Sequence, residues 1–362
     1  MATRIKLPKR VCGLPQAMLD AAGQQLLIAD EGIAKLFDAR SGREIGDYPW
    51  LEGDGDEFEL LVDGREHDLE ELDPSEMFGL PRHLAFSACG RYFVVVCNHF
   101  GGSSGYNDAY FFDREHTGRP LRYLDVNRWA GESTSLFSYN DPEAVLFTDR
   151  ELVLLGEFGL LLFPLDGGEP RHVVLPEVES KIGLSFTASK GASLATHAGL
   201  LAVGFCDSLF IVRLSDGALL SQLRSPGEVG LGNKVVFASA EELVISDLDA
   251  TPARVWRVNI AEASWVPVKV GHPLVWLGSD GSSALTEDRE QRLHRVDLCS
   301  GRRTRVARLA EPTDEASRSA TSRSKLLHVS ADGLSVLRTY GGTTLGDDTR
   351  SVVITQLVRR TA

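Results

Sequence analysis

A short pattern recurs along the whole chain, and it constrains the fold more than any other feature of the sequence. Each copy has an apolar start, a small polar turn and a second apolar run, and seven copies are present. The copies are LDAAGQQLLIA from Leu19, FSACGRYFVVVC from Phe86, LFTDRELVLLG from Leu146, ATHAGLLAVGF from Ala195, FASAEELVISD from Phe237, WLGSDGSSALTE from Trp276 and HVSADGLSVLRT from His328. Two apolar runs joined by a tight polar turn are typical of a β-hairpin.

A second pattern follows each of the first six copies. It is an apolar strand, a turn that contains Asp or Asn, and a further strand; the turn residues are Asp38, Asp113, Asp166, Asp216, Asn259 and Asp297. A side-chain oxygen at this position can accept hydrogen bonds from backbone N–H groups two residues on, so these residues have a structural explanation. The repeating unit is therefore four antiparallel strands, about every 50 residues.

The second strand of most units is apolar without alternation, as at residues 93–97, 152–155 and 200–203. A strand with one face in water alternates apolar and polar residues, so these strands must be covered on both faces. Sheets stacked face to face around an axis provide this cover. The sequence therefore predicts an all-β fold, a seven-bladed β-propeller of four-stranded antiparallel blades that forms one domain over residues 1–362.

The two chain ends complement each other. The seventh unit stops after its third strand, SVVITQLVRR, while TRIKLPKRV at residues 3–11 precedes the first unit and has no other partner. Pairing these segments would remove an open strand edge that invites aggregation. We therefore expect the last blade to be closed by the N-terminal strand, although six or eight blades remain alternatives to the count of seven.

The negative charge is concentrated in one segment. The chain carries −13, and residues 52–76 hold twelve acidic side chains against Arg65, a charge of −11. This acidic insertion lies between the first and second blades, and its Asp63-Gly64 turn suggests a protruding hairpin. It predicts docking of one or more proteins with a basic surface. The candidate partner-binding residues are Asp54, Asp56, Glu57, Glu59, Asp63, Glu66, Asp68, Glu70 and Glu71. A solvated loop is the alternative, and a calcium loop would need a glycine and a glutamate that do not follow.

Other classes of partner are disfavoured by charge and composition. The acidic balance argues against nucleic acid as the main partner, and the basic stretch Arg302, Arg303, Arg305 and Arg308 is explained as protection of an outer strand edge. No apolar run is long enough to cross a bilayer, and the N-terminus lacks the apolar core of a signal peptide. Five scattered cysteines without a CxxC pair indicate neither a disulfide framework nor a zinc site. We expect a cytoplasmic protein without membrane contact.

The sequence contains one short match to a catalytic motif, but the predicted secondary structure around it does not fit that motif. Residues 101–105, GGSSG, match the G-x-S-x-G pattern of serine hydrolases, but a strand follows where that motif requires a helix. A glycine-rich hairpin loop explains the segment better. The nine histidines have no metal-ligand spacing. The sequence thus predicts no catalytic residue, cofactor or metal and favours a non-enzymatic protein. The alternative is a propeller enzyme, such as a lactonase-like hydrolase or a lyase, whose central-channel residues come from several blades.

The repeats resemble those of WD40-like β-propeller proteins over nearly the whole length. The Trp-Asp pair of that family appears as Phe37-Asp38 and Phe112-Asp113, and the Gly-His pair that opens its repeats is missing. The resemblance implies a divergent propeller of the kind common in bacterial multi-protein systems. It also implies protein binding, so we expect an interaction scaffold or a subunit of a cytoplasmic assembly.

Overall fold

The computed structural model describes most of the 362 residues. The described residues are 2–6, 16–30, 32–52, 59–60, 80–101, 104–126, 142–148, 150–156, 159–166, 168–176, 192–205, 207–228, 230–247, 252–308, 325–340 and 351–357.

The described elements are strands and a short 3-10 turn. The first strands are β1 (Ala2–Lys6), β2 (Gln16–Leu19), β3 (Gln25–Asp30), β4 (Ile33–Asp38), β5 (Glu44–Pro49), β6 (Leu51–Glu52), β7 (Glu59–Leu60), β8 (Leu80–Phe86), β9 (Tyr92–Gly101), β10 (Ser104–Asp113), β11 (Arg122–Asp125), β12 (Ala144–Phe147), β13 (Glu151–Leu155), β14 (Gly159–Pro164) and β15 (Arg171–Val174). The remaining strands are β16 (Ala192–His197), β17 (Leu200–Phe205), β18 (Ser208–Arg213), β19 (Leu219–Arg224), β20 (Leu231–Phe237), β21 (Glu242–Asp247), β22 (Arg254–Asn259), β23 (Ser264–Lys269), β24 (Leu274–Leu277), β25 (Ser283–Glu287), β26 (Arg292–Asp297), β27 (Arg303–Arg308), β28 (Lys325–Val329), β29 (Ser335–Tyr340) and β30 (Ser351–Gln356). The 3-10 turn is Pro226–Glu228.

Seven four-stranded antiparallel sheets are the blades of a β-propeller, which confirms the predicted fold. The first six blades are β2–β5, β8–β11, β12–β15, β16–β19, β20–β23 and β24–β27, each in chain order across its sheet. The seventh has the order β1-β30-β29-β28. The basic strand β27 lies at the edge of the sixth blade, as the sequence predicted.

The seventh blade is closed by the N-terminal strand, as predicted. β1 pairs antiparallel with β30, from Ala2 opposite Thr355 to Lys6 opposite Ser351. Ile5 is buried and packs in one apolar cluster with Leu337 and Ile354. The strand ends at Lys6, earlier than predicted, and residues 7–11 lie outside the described part.

The second strand of each blade is buried on both faces, and β9 shows why. Its residues from Phe93 to Cys97 are all 0% exposed. Because successive side chains of a strand point to opposite faces, Phe93 and Val95 pack with side chains of the first blade, whereas Val94 packs with side chains of the third. An unbroken apolar run is therefore what this position requires.

All six predicted turn residues accept backbone hydrogen bonds. The acceptors and donors are Asp38 from Arg40 and Ser41, Asp113 from Glu115, Asp166 from Gly168, Asp216 from Ala218, Asn259 from Glu262, and Asp297 from Cys299 and Ser300. Three of these turns contain a glycine with positive φ, namely Gly42 at 71°, Gly217 at 73° and Gly301 at 70°. Other residues rarely adopt that conformation.

The chain divides into two compact units, each with its own apolar clusters. The first unit comprises Met1–Pro170, Pro312–Ser330 and Ser335–Thr355, and the second comprises Arg171–Glu311, Ala331–Leu334 and Gln356–Ala362. In the second unit, side chains of the fourth and fifth blades form one cluster and those of the fifth and sixth blades form another. That the whole chain is one domain stays a prediction. Within the described part of the chain, no helix has the length and apolar character needed to span a bilayer.

Candidate functional site

The acidic segment begins where the first blade ends. β5 stops at Pro49, and the backbone N–H of Trp50 donates to the Gly32 carbonyl at 2.9 Å. The next two residues form β6, which pairs with β7 so that Leu51 lies opposite Leu60 and Glu52 opposite Glu59. The segment therefore leaves the blade through a hydrogen-bonded stretch, Trp50 to Glu52, which we call the acidic root.

The predicted partner-binding residues lie almost entirely beyond this root. Glu59 is placed by its backbone in β7, opposite Glu52. The other eight lie outside the described residues: Asp54, Asp56, Glu57, Asp63, Glu66, Asp68, Glu70 and Glu71. The Asp63-Gly64 turn lies outside them as well. The β6–β7 pairing is a finding that the sequence pattern did not predict.

Trp50 anchors the root to the second blade. Its side chain is 0% exposed, and its indole stacks on the ring of Tyr110 with centroids 5.5 Å apart and an interplanar angle of 23°. Phe112 packs against the same indole at 6.4 Å. Removing so large a buried aromatic side chain typically costs about 3–5 kcal/mol. The start of the acidic segment is therefore fixed to the protein body.

A buried carboxylate lies beside this anchor. Asp108 accepts a hydrogen bond from the Tyr123 hydroxyl at 2.9 Å, and the Tyr123 ring lies 5.5 Å from that of Tyr110. Burial raises the pKa of Tyr110 well above its usual range, and the negative charge of Asp108 adds to this. Burial and Asp108 likewise raise the pKa of the Cys97 thiol. Both groups stay protonated at neutral pH, so this cluster is a structural polar network.

The central hairpin of the second blade has more described residue pairs than those of the first and third blades, which have six and five. The β9–β10 ladder has ten pairs, from Asp113 opposite Tyr92 to Ser104 opposite Gly101. β8 accompanies it as far as Asn98, where the Asn98 side-chain amide donates to that of Asn107 at 3.2 Å. The last three pairs have no third strand beside them among the described residues. β9 and β10 form the predicted hairpin, whose last three pairs we call the projection: Gly101 ends β9 and pairs with Ser104 at the start of β10, and residues 102–103 between them lie outside the described part.

The acidic root and the projection lie at the same end of two neighbouring blades. Gly32 lies in the turn between β3 and β4, and the tip of the projection is the equivalent turn between β9 and β10. Trp50 contacts the first turn through its backbone N–H and stacks on Tyr110 of β10, which pairs with Val95 in the body of the second blade. The arrangement offers negative charge and, at the last three β9–β10 pairs, strands with no third described strand beside them, which suit contacts with another protein. Sequence reasoning missed Trp50, although an aromatic residue directly before an acidic run was a visible signal.

The described residues include His, Cys, Asp and Glu side chains, the usual metal ligands of proteins. They contain no group of three or more His, Cys, Asp and Glu side chains arranged to hold a metal ion. Free thiols among them are Cys89, Cys97 and Cys299.

The fold defines the chain as a β-propeller protein. Its structure is similar to the β-propeller domain of Cps50 (Swd1) from Myceliophteria thermophila, with a TM-score of 0.56 and 13% identity over 99% of this chain and 100% of that one. It is also similar to a chain in the crystal structure of the Mitotic Checkpoint Complex, with a TM-score of 0.55 and 12% identity over 98% of this chain and 93% of the other. No protein-family model and no curated protein matches the sequence. The likeness to WD40-like propellers is therefore one of fold.

Proposed function

We propose that this protein is a non-enzymatic interaction subunit of a multi-protein assembly, and that its acidic segment binds a partner with a basic surface. The observation that carries the proposal is the root of that segment. A run with a charge of −11 begins next to Trp50, a fully buried side chain stacked on Tyr110. The charge is thus presented from a fixed point on one end of the first blade.

The concentration of charge favours docking over a merely solvating role. Outside residues 52–76 the chain is nearly neutral, since this segment carries −11 of the total −13. A local field of this kind speeds the encounter with an oppositely charged surface and is screened within about 10 Å at 0.1 M salt. Binding through it should therefore be strongest at low ionic strength.

The structural neighbours support a role in protein assemblies. One belongs to the Mitotic Checkpoint Complex, a multi-protein particle by its name, and the other is the propeller domain of Cps50 (Swd1). Because sequence identities of 13% and 12% support only a likeness of fold, the partners of these proteins do not transfer to this chain.

We further propose that the protein is a divergent WD40-like propeller, that it comes from a bacterium and that it is located in the cytoplasm.

The test is affinity purification from a lysate of the source organism at low salt, with mass spectrometry of co-purifying proteins. We expect a stoichiometric partner that is lost as salt rises. Replacing the nine candidate carboxylates by their amides should reduce recovery of that partner at least tenfold. The matched control is Glu241→Gln with Glu262→Gln, two exposed residues of the second unit, which should leave recovery unchanged.

Two outcomes would overturn the proposal. If the nine amides leave recovery and salt sensitivity unaltered, the acidic segment is not the docking element. A partner-free protein from every lysate condition would favour the propeller enzyme with a channel site.

A further inference from the structure

A groove lies between the second and third blades, within the first unit and away from the acidic root. Its volume is about 560 Å³, within the range of pockets that hold ligand groups. It opens beside Tyr92, at the end of β9 opposite to the Gly101 tip of the projection. Trp50 of the acidic root packs on Tyr110 and Phe112, whereas Phe111 lines the groove. Because successive side chains of a strand point to opposite faces, the root and the groove lie on opposite faces of the second blade.

The floor of the groove is aromatic. Phe111 of the second blade and Phe147 of the third are each 3% exposed, with ring centroids 5.9 Å apart at 70°. Leu121 stands at the mouth and is 44% exposed. An apolar cleft with an exposed leucine at its edge gains free energy when another apolar side chain covers it.

The rim carries guanidinium groups. Arg122 is held in place because its guanidinium lies 4.5 Å from the Phe163 ring centre and donates to the Pro164 carbonyl at 2.9 Å. Such a pre-positioned donor loses little freedom when it binds a carboxylate. Arg150 is exposed in the turn between β12 and β13, and its side chain has no ion-pair partner among the described residues.

The charge of the rim selects the partner. Two arginines and one carboxylate, Asp166, line the groove, so its lining residues carry more positive than negative charge. The Asp166 side chain accepts a hydrogen bond from the Gly168 backbone at 3.0 Å. We propose that this groove binds an acidic peptide segment of a partner protein. An aromatic side chain of the peptide packs on Phe111 and Phe147, and flanking carboxylates pair with Arg122 and Arg150. This surface is separate from the acidic segment and has the opposite charge preference.

The experiment measures fluorescence anisotropy of a labelled acidic peptide, Glu-Asp-Glu-Phe-Glu-Asp-Glu, with the full chain. Arg150→Glu and Leu121→Asp should each weaken binding at least tenfold. Both residues are exposed, so the variants should keep the wild-type thermal midpoint. The matched controls are Arg305→Glu and Leu220→Asp, exposed positions on outer strands of the second unit, and they should change the affinity less than twofold.

Altered peptides distinguish specific binding in the groove from nonspecific electrostatic attraction. Alanine in place of the phenylalanine should weaken binding tenfold, and lysines in place of the acidic residues should abolish it. Equal binding of the lysine peptide, equal loss in the control variants, or no binding at millimolar peptide would each overturn the proposal.

The groove could also be filled by the acidic segment of a second copy of this chain. Analytical ultracentrifugation of the free chain distinguishes the two cases. Self-association that disappears both in Arg150→Glu and in the variant with nine amides would show contact between two copies, and it would overturn the proposal of a separate partner protein. A monomer at all concentrations, together with tight peptide binding, supports the proposal. Neither result depends on capture of a basic partner by the acidic segment.

Discussion

The Asp113 carboxylate forms a short ion pair with Arg91 across the second blade, with Arg91 Nη2 2.6 Å from Asp113 Oδ2. The carboxylate also accepts the Glu115 backbone N–H at 3.0 Å and lies 3.1 Å from His116 Nδ1. Hydrogen bonding from Arg91, helped by Glu115 and His116, outweighs burial and lowers the pKa of Asp113 to about 2. One side chain therefore ties together two turns at the same end of the blade.

Stability should fall with acid because of this carboxylate. Its pKa is about 2 in the folded chain against an ordinary 3.8, so the unfolded chain takes up the proton first as pH falls. The stabilisation is present above about pH 4 and is lost as pH falls towards 2. Asp113→Asn should lower the thermal midpoint at pH 6 and flatten its decline towards pH 3. Glu262→Gln is the exposed control and should retain the wild-type pH profile.

Two buried tryptophans should respond differently to the same change. Trp50 Nε1 has no hydrogen-bond partner among the described residues, whereas Trp256 Nε1 donates to the buried Asp247 carboxylate. Replacing either by phenylalanine removes the same atoms, but Trp256→Phe also leaves Asp247 without one donor. Trp256→Phe should cost about 1–3 kcal/mol more than Trp50→Phe in denaturant unfolding. Equal costs would show that the indole hydrogen bond contributes nothing measurable.

Closure of the seventh blade should be measurable at one side chain of the N-terminal strand. Ile5 is 5% exposed beside Leu337 and Ile354, so Ile5→Ala should lower the free energy of unfolding by about 2–5 kcal/mol. Thr3 lies on the same strand and donates to the Arg40 carbonyl at 2.8 Å in an exposed position. Thr3→Ala should cost less than about 1 kcal/mol. If both variants unfold at the wild-type denaturant midpoint, β1 does not stabilise the blade.

The features that sequence patterns predicted correctly are local ones. Asp38 and Asp297 accept hydrogen bonds from residues two and three positions on, so residue type and spacing define the turn. The five consecutive apolar residues at 93–97 predict a strand that is buried on both faces, and all five are 0% exposed. Pairing of the two chain ends followed from counting strands, because a missing fourth strand and a surplus first strand need each other.

The features that sequence patterns missed depend on contacts between blades. Trp50 and Tyr110 are 60 positions apart, and their stacking depends on how the first blade faces the second. Phe111 and Phe147 form the groove floor for the same reason. Periodicity predicts that such residues are buried but not which residue of the neighbouring blade they meet. A binding surface made of one residue from each of several turns leaves no motif.

A pair of histidines gives the second unit a pH dependence of its own. The rings of His272 and His294 lie 5.4 Å apart, and His294 Nε2 is 3.0 Å from Asp288 Oδ2. Burial lowers the pKa of His272, and the positive charges of Arg303 and His294 lower it further, while Asp288 and Glu290 partly offset them. The folded chain therefore binds this proton less readily than the unfolded chain.

It follows that His272 opposes folding in acid. Above its ordinary pKa of 6.5 the group is neutral in both states, and as pH falls below that value the unfolded chain gains the proton first, so stability is lost. His272→Gln should reduce the drop in thermal midpoint between pH 7.5 and pH 5, whereas His172→Gln, at an exposed position on β15, should leave the drop unchanged. An NMR titration that places His272 above 6.5 would reverse the sign of the effect and contradict the prediction.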